Sequence, residues 1–212
     1  MHEVIEKLKS ATEGSKYEGR LYLVGGIVRD RRLALPPDED IDIVLEGEAA
    51  ELAAFLFKRN VADFPPVTYP RFGTAMVVID GKQVELVGAR KESYDPTSRK
   101  PSTQRGSLLD DVLRRDFTIN TMAISLNAGS YGMLIDPFDG TGDLERKIIR
   151  TPLDPDITFS DDPLRMMRAV RFATQLGFQI EDETLKAIAR NRERIRIVSG
   201  ERIAEELHKI IL

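Results

Sequence analysis

LYLVGGIVRDRRLALPPDEDIDIV, residues 21–44, is the stretch on which the fold turns. Leu21, Tyr22, Leu23 and Val24 form a short apolar run bounded by Gly25–Gly26. This is the pattern of a buried strand ending in a turn where backbone can approach a ligand closely. Ile27, Val28 and Leu33 predict a short helix stopped by Pro36–Pro37. Asp40, Ile41, Asp42, Ile43 and Val44 follow as an alternating run. Side chains repeat every second residue in a strand, so Asp40 and Asp42 share one face while Ile41 and Ile43 point into a core. Two carboxylates this close repel each other unless a cation lies between them, and hard ions such as Mg²⁺ take such oxygen ligands. Separately, a glycine turn and a solvated acidic strand are both ordinary. In this order they point to a phosphate-approaching turn beside a metal-binding carboxylate pair.

At 212 residues the chain has room for one generous domain or two small ones. Hydrophobic residues make up 42% and charged residues 31%, ordinary values for a globular protein that stays in water. Cysteine is absent, which excludes disulfides and thiolate metal sites and makes the cytosol the natural compartment. MHEVIEKLKSATEG at the start reads as an amphipathic helix rather than a signal sequence, and no apolar run is long enough to span a bilayer. The net charge of −4 argues against a surface coated in basic residues for nucleic acid. Locally the balance reverses, because Pro163 to Arg202 holds nine basic and five acidic residues, a net +4 suited to a phosphate backbone.

Further along, EAAELAAFLFKRN (48–60) predicts an amphipathic helix, and Pro65–Pro66 a connector. TAMVVI (74–79), Asp80–Gly81 and KQVELV (82–87) predict a hairpin. In the simple register Glu85 shares a face with Met76, Val78 and Val87. Residues 92–110, ESYDPTSRKPSTQRGSLLD, are polar and aperiodic and predict a long mobile loop. RRDFTIN (114–120) enters another apolar run, and DPFDGTGD (136–143) is a turn cluster. From Ser160 onward the pattern is helical, with Leu164, Met167, Val170 and Ala173 expected on one side. Asp162, Arg165, Arg168 and Arg171 recur at steps of three, so they are neighbours on the helix surface. Taken alone they suit an N-cap, with Ser160 or Asp162 capping and Pro163 in the first turn, followed by a solvated basic stripe. A break near Ser199–Gly200 precedes a last helix with Ile203, Leu207, Ile210 and Ile211 at helical spacing. That helix ends without a stop signal, so the natural chain is expected to run on.

Gly25-Gly26-x-x-Arg29-Asp30 followed by Asp40-x-Asp42 resembles the head of the class II tRNA nucleotidyltransferase and bacterial poly(A) polymerase family. RRDFTIN resembles that family's ribose-recognition motif, and Asp161-Asp162-x-x-Arg165 resembles its Glu-Asp-x-x-Arg motif with Asp in the first position. The resemblance covers nearly all of residues 20–212. It implies an α/β (α+β) polymerase-β-type head with a mixed, mostly antiparallel sheet at 1–150 and an all-helical neck at 151–212. The family's tRNA-gripping body and tail helices lie outside the resemblance, so weak or absent tRNA affinity is expected.

The resemblance also implies roles. Asp40 and Asp42, with Glu85 as a third carboxylate, would hold two Mg²⁺ ions that activate an RNA 3′-hydroxyl and steady departing pyrophosphate. Gly25, Gly26 and Arg29 would line the triphosphate. Asp116 would accept from ribose hydroxyls and Arg115 would suit phosphate oxygens. Asp162 would accept from the exocyclic amino group of C or A while Arg165 donates to the adjacent ring nitrogen, admitting CTP and ATP and rejecting UTP and GTP. Arg168 and Arg171 would lie near phosphates or the base edge. The implied activity is addition of C and A to tRNA 3′ ends. The alternatives are a poly(A) polymerase and an inert nucleotide- or RNA-binding module. A dinucleotide-binding oxidoreductase is set aside, because Gly25–Gly26 lacks the spaced third glycine. His2 and His208 lie far from every motif.

Overall fold

The computed structural model describes residues 2–36, 40–95 and 98–211. Pro37, half of the expected helix stop, and Pro96 and Thr97 of the expected loop lie outside them. Packing divides the chain into two compact units: 1–91 with 104–112 and 122–136, and 92–103 with 113–121 and 137–212.

The first unit opens with α1 (His2–Thr12), which buries Val4, Ile5, Leu8 and Ala11. Then come β1 (Leu21–Val24), α2 (Gly26–Arg32), β2 (Ile41–Leu45), α3 (Ala49–Lys58), β3 (Val67–Tyr69), β4 (Thr74–Ile79) and β5 (Lys82–Gly88). A two-stranded ribbon, β6 (Arg90–Asp95) with β7 (Ser98–Arg105), replaces the expected mobile loop and belongs for the most part to the second unit, through residues 92–103. Its residues are polar throughout, so no apolar face betrays strand pairing. After it come α4 (Leu108–Leu113), β8 (Ala123–Ser125) and β9 (Leu134–Ile135).

The sheet runs β3-β4-β5-β2-β1-β8-β9. Only the β2–β5 joint is parallel; its other neighbours are antiparallel. The mixed, mostly antiparallel sheet is therefore as expected. Asp80 and Gly81, at φ 53° and 71°, form the tight turn of the predicted hairpin. Leu21, Leu23, Ile41, Ile43, Leu45, Leu52, Leu56 and Leu86 are all buried, which places the core between sheet and helices. Burial alternates from Ile41 to Ile43, leaving Asp42 half-buried, and beyond it Val44 and Leu45 are both buried.

The second unit contains α5 (Gly140–Arg146), β10 (Ile148–Ile149), α6 (Pro155–Asp161), α7 (Leu164–Leu176), β11 (Gln179–Ile180), α8 (Asp182–Asn191) and α9 (Gly200–Ile211). From residue 137 onward it is helical apart from one short parallel pairing of β10 with β11. Asp154 caps α6 by accepting from the Asp156 N–H at 2.8 Å, and Pro155 occupies the first turn. Asp162, in extended backbone, separates α6 from α7. Gly177, at φ 65°, ends α7 in the left-handed conformation that glycine tolerates.

The buried face of α7 is Leu164, Met166, Ala169 and Phe172, not the predicted Leu164, Met167, Val170 and Ala173. Phe172 packs edge-on against the fully buried Phe117 at 5.8 Å, and Val170 is left exposed. The last helix also departs from its predicted stripe. Leu207 and Ile211 are exposed, and the residue α9 buries is Glu206.

Candidate active site

Two groups of predicted residues take shape, one in each unit. In the first, Gly25 precedes α2 with φ 82° and ψ −154°, a region open essentially to glycine alone. Replacing Gly25 with alanine is expected to cost about 1–3 kcal/mol, measured as a lowered urea midpoint. Beside it, a Cβ added to Gly26 would lie 3.4 Å from an Arg29 guanidinium nitrogen and 3.6 Å from an Asp30 oxygen. Arg29 donates to both Asp30 carboxylate oxygens, at 2.7 Å and 3.0 Å. The pair fixes the predicted triphosphate-lining arginine against its own helix.

Asp42 stands opposite Glu85 in the parallel β2–β5 ladder, and Glu85 stands opposite Met76 in the β4–β5 ladder. Directly paired residues share a face, so Glu85 joins the Asp40/Asp42 side of the sheet. A cavity of about 370 Å³ is lined by Gly26, Ile27, Asp40, Ile41, Asp42, Met76, Gln83 and Glu85. Among the described residues no three acidic or imidazole side chains converge into a complete cation cage. Mg²⁺ commonly takes one or two carboxylates and completes its octahedron with water and substrate phosphate. An aspartate pair on an open cavity has the chemistry for that, with Glu85 alongside.

In the second unit, RRDFTIN is a tightly tied knot. Asp116 is buried and accepts from the Phe117 N–H at 2.9 Å, the Asn120 amide at 2.9 Å and Arg168 Nε at 2.7 Å. Burial alone would push its carboxyl up, but Arg168, the Asn120 amide and Arg165 together hold it below the usual carboxylate range. Arg115 donates to the Asn120 carbonyl at 3.2 Å. Arg165 donates to the Thr158 and Arg114 carbonyls, at 3.3 Å and 2.5 Å. Asp162 accepts from the Leu164 N–H at 3.2 Å, while Pro163 stands at the N-cap of α7 rather than in its first turn. Burial raises the neighbouring Asp161 carboxyl, with Arg165 opposing. Arg171 lies 3.2 Å from Glu206, and Arg168 lies 4.0 Å from the same acid. The arginine stripe is thus half-buried, with Arg168 and Arg171 ion-paired and Arg165 on backbone carbonyls, rather than solvated.

A family profile described as the poly(A) polymerase head domain matches residues 21–150, well over half of the chain. The chain belongs to the class II CCA-adding and poly(A) polymerase family. A second profile, described as a probable RNA- and SrmB-binding site of polymerase A, matches residues 177–212. The A-adding tRNA nucleotidyltransferase of Aquifex aeolicus is 44% identical over 169 residues, covering 80% of this chain and 20% of that protein. The CCA-adding enzyme of Pediococcus pentosaceus is 44% identical over 193 residues, covering 90% of this chain and 46% of that enzyme. The Thermotoga maritima CCA-adding enzyme complexed with tRNA superposes with a TM-score of 0.83 at 32% identity, over 99% of this chain and 46% of its own. This member of the family therefore spans about half, or less, of the length of these relatives.

Within this family framework, three supporting residues escaped the sequence reading. Asp143, in the DPFDGTGD turn cluster, is buried and accepts from the Thr118 hydroxyl at 2.6 Å, Arg146 at 2.7 Å and Arg150 at 3.0 Å. It ties RRDFTIN to α5, so the cluster does more than close a turn. Asn120 orients Asp116. Glu206 occupies a buried stripe position on α9, where an acid calls for a cationic partner; the arginines at steps of three on α7 were the available signal.

Proposed function

We propose that the chain performs template-independent nucleotidyl transfer, adding CMP, AMP or both from CTP and ATP to the 3′ end of tRNA in the cytosol. The observation that carries this is the acidic row Asp40, Asp42 and Glu85 lining one cavity with Gly26, in a chain of this family. The division of labour proposed is a catalytic head at 1–150 and a base-reading neck at 151–212. In the reaction the RNA 3′-hydroxyl oxygen bonds to the α-phosphorus and gives up its proton to water, as the bond to the bridging oxygen breaks and pyrophosphate leaves. When bound at Asp40 and Asp42, Mg²⁺ supplies Lewis-acid polarisation of the phosphoryl oxygens and the hydroxyl.

The chain's own residues bind and orient. The Gly25–Gly26 turn lets triphosphate oxygens approach backbone N–H groups. Arg115 and Asp116 contact the phosphate and ribose. Asp162 and Arg165 read the base edge, accepting from the amino group of C or A and donating to the ring nitrogen beside it. The hydrogen bonds from Arg165 to Thr158 and Arg114 hold its guanidinium in place for that task. Arg168 and Arg171 support this edge through Asp116 and Glu206.

Incubating the chain with tRNA lacking its terminal CCA, Mg²⁺ and each labelled triphosphate tests the reading. Incorporation of CMP or AMP, with UMP and GMP refused, is the expected result. Long adenosine tracts on any RNA would instead assign a poly(A) polymerase. No incorporation would leave a nucleotide- or RNA-binding module.

A further inference from the structure

The sheet's edge strand β3 and the 3₁₀ turn after it, Pro70–Phe72, carry apolar side chains outward. Val67, Tyr69 and Phe72 are 53%, 44% and 60% exposed, with Arg71 exposed among them. An apolar run of this kind on a surface marks a contact site. The backbone beneath is braced. Gly73 donates to the Pro70 carbonyl at 3.2 Å, Gly88 to the Gly73 carbonyl at 2.9 Å, and Arg90 to the Phe72 carbonyl at 2.8 Å. The rings therefore stand on a fixed turn.

The register connects this edge to the acidic row. Val67 pairs with Met76, Met76 with Glu85, and Glu85 with Asp42. Val67 and Tyr69, two residues apart in one strand, share the face of those carboxylates. Three strand spacings separate β3 from β2, about 14 Å, a span of a few nucleotides.

We infer that Val67, Tyr69 and Phe72 form a stacking platform for the unpaired 3′-terminal nucleotides of the RNA acceptor, with Arg71 beside their phosphates. The inference rests on the nucleotidyl-transfer reading for the identity of the acceptor. Aromatic rings interleaved with a cation suit single-stranded RNA, since every base offers a π-face and each linkage an anion. A second copy of the chain fits less well, because Arg71 would have to be desolvated against an identical arginine patch.

The test is a titration of the chain into single-stranded RNA octamers carrying 2-aminopurine next to the 3′ end. Parent, Tyr69→Ala, Phe72→Ala and the double variant are compared, with circular dichroism as the folding control. Each single loss is expected to weaken binding about tenfold or more, and Tyr69→Phe is expected to restore it. The KM for CTP and ATP should not move. Unchanged RNA affinity in the double variant would overturn the inference, as would a parent that does not quench the probe. A variant that only converts dimer to monomer in sedimentation, with RNA affinity intact, would also overturn it in favour of an interface between copies. A parent that binds the octamer through these rings but transfers no nucleotide would instead sink the proposed function and leave the platform standing.

Discussion

Asp42→Ala is expected to lower nucleotide incorporation by about a thousandfold, the rate equivalent of several kcal/mol of lost transition-state stabilisation, while the thermal unfolding midpoint holds or rises. The two halves of that expectation come from the same strand. Ile41 and Ile43 carry the packing of β2, at 2% and 0% exposure, and Asp42 projects from the opposite face. Shortening it leaves the Ile41 and Ile43 packing in place and relieves repulsion between like charges across the Asp40, Asp42 and Glu85 row. Single-turnover incorporation on tRNA ending in CC, read beside a melting curve, checks both halves. Activity within tenfold of the parent would end the two-carboxylate reading. Glu85→Gln separates the third acid from the pair. A residue supporting the site from the neighbouring strand should cost about 10–100-fold, and an effect as large as that of Asp42→Ala would make Glu85 a full partner.

How far the sequence could be read follows from the range over which each feature is decided. The Asp80–Gly81 hairpin, the Gly25–Gly26 turn and the alternation of β2 are settled within a few residues, and all three formed where spacing placed them. The β6–β7 ribbon leaves no such mark, because strands this polar show no alternation. The buried face of α7 is decided over the longest range. Its arginines find partners far away in sequence, Arg168 on an aspartate 52 residues earlier and Arg171 on Glu206 in the last helix. Those ion pairs, together with the Phe117–Phe172 contact, turn the helix so that Met166 and Ala169 go inward. Spacing within one helix carries no record of such partners. The same blindness hid Glu206, whose partners Arg168 and Arg171 stand on another helix.

Arg168→Ala is expected to destabilise the chain by about 3 kcal/mol, the lower end of the range for breaking a buried pair, because the Arg168 side chain is 33% exposed. Asp116 loses the guanidinium at 2.5–2.7 Å while staying walled in by Phe117 and Asn120. Its pH dependence should then change sign. In the parent the Asp116 carboxyl sits below its ordinary value of 3.8, with burial opposing and Arg168 the chief cause of the lowering. Its stabilising contribution is complete above 3.8 and fades as pH falls through the lower folded value. Without Arg168, burial dominates and carries the carboxyl above 3.8. The group is then protonated in the folded state where the unfolded chain is ionised, so stability declines as pH rises through that new value. Urea unfolding followed by circular dichroism from pH 3.5 to 6.5 should show the gap between parent and variant widening with pH. A gap that stays level would mean that the lost stability comes from packing of Arg168 on the Phe172 ring, 5.3 Å away, and not from the stranded charge. Substituting Asp116→Asn in the Arg168→Ala background decides the same point independently. Removing the stranded charge should recover a large part of the loss, because it is the unpaired half of a broken pair that costs most.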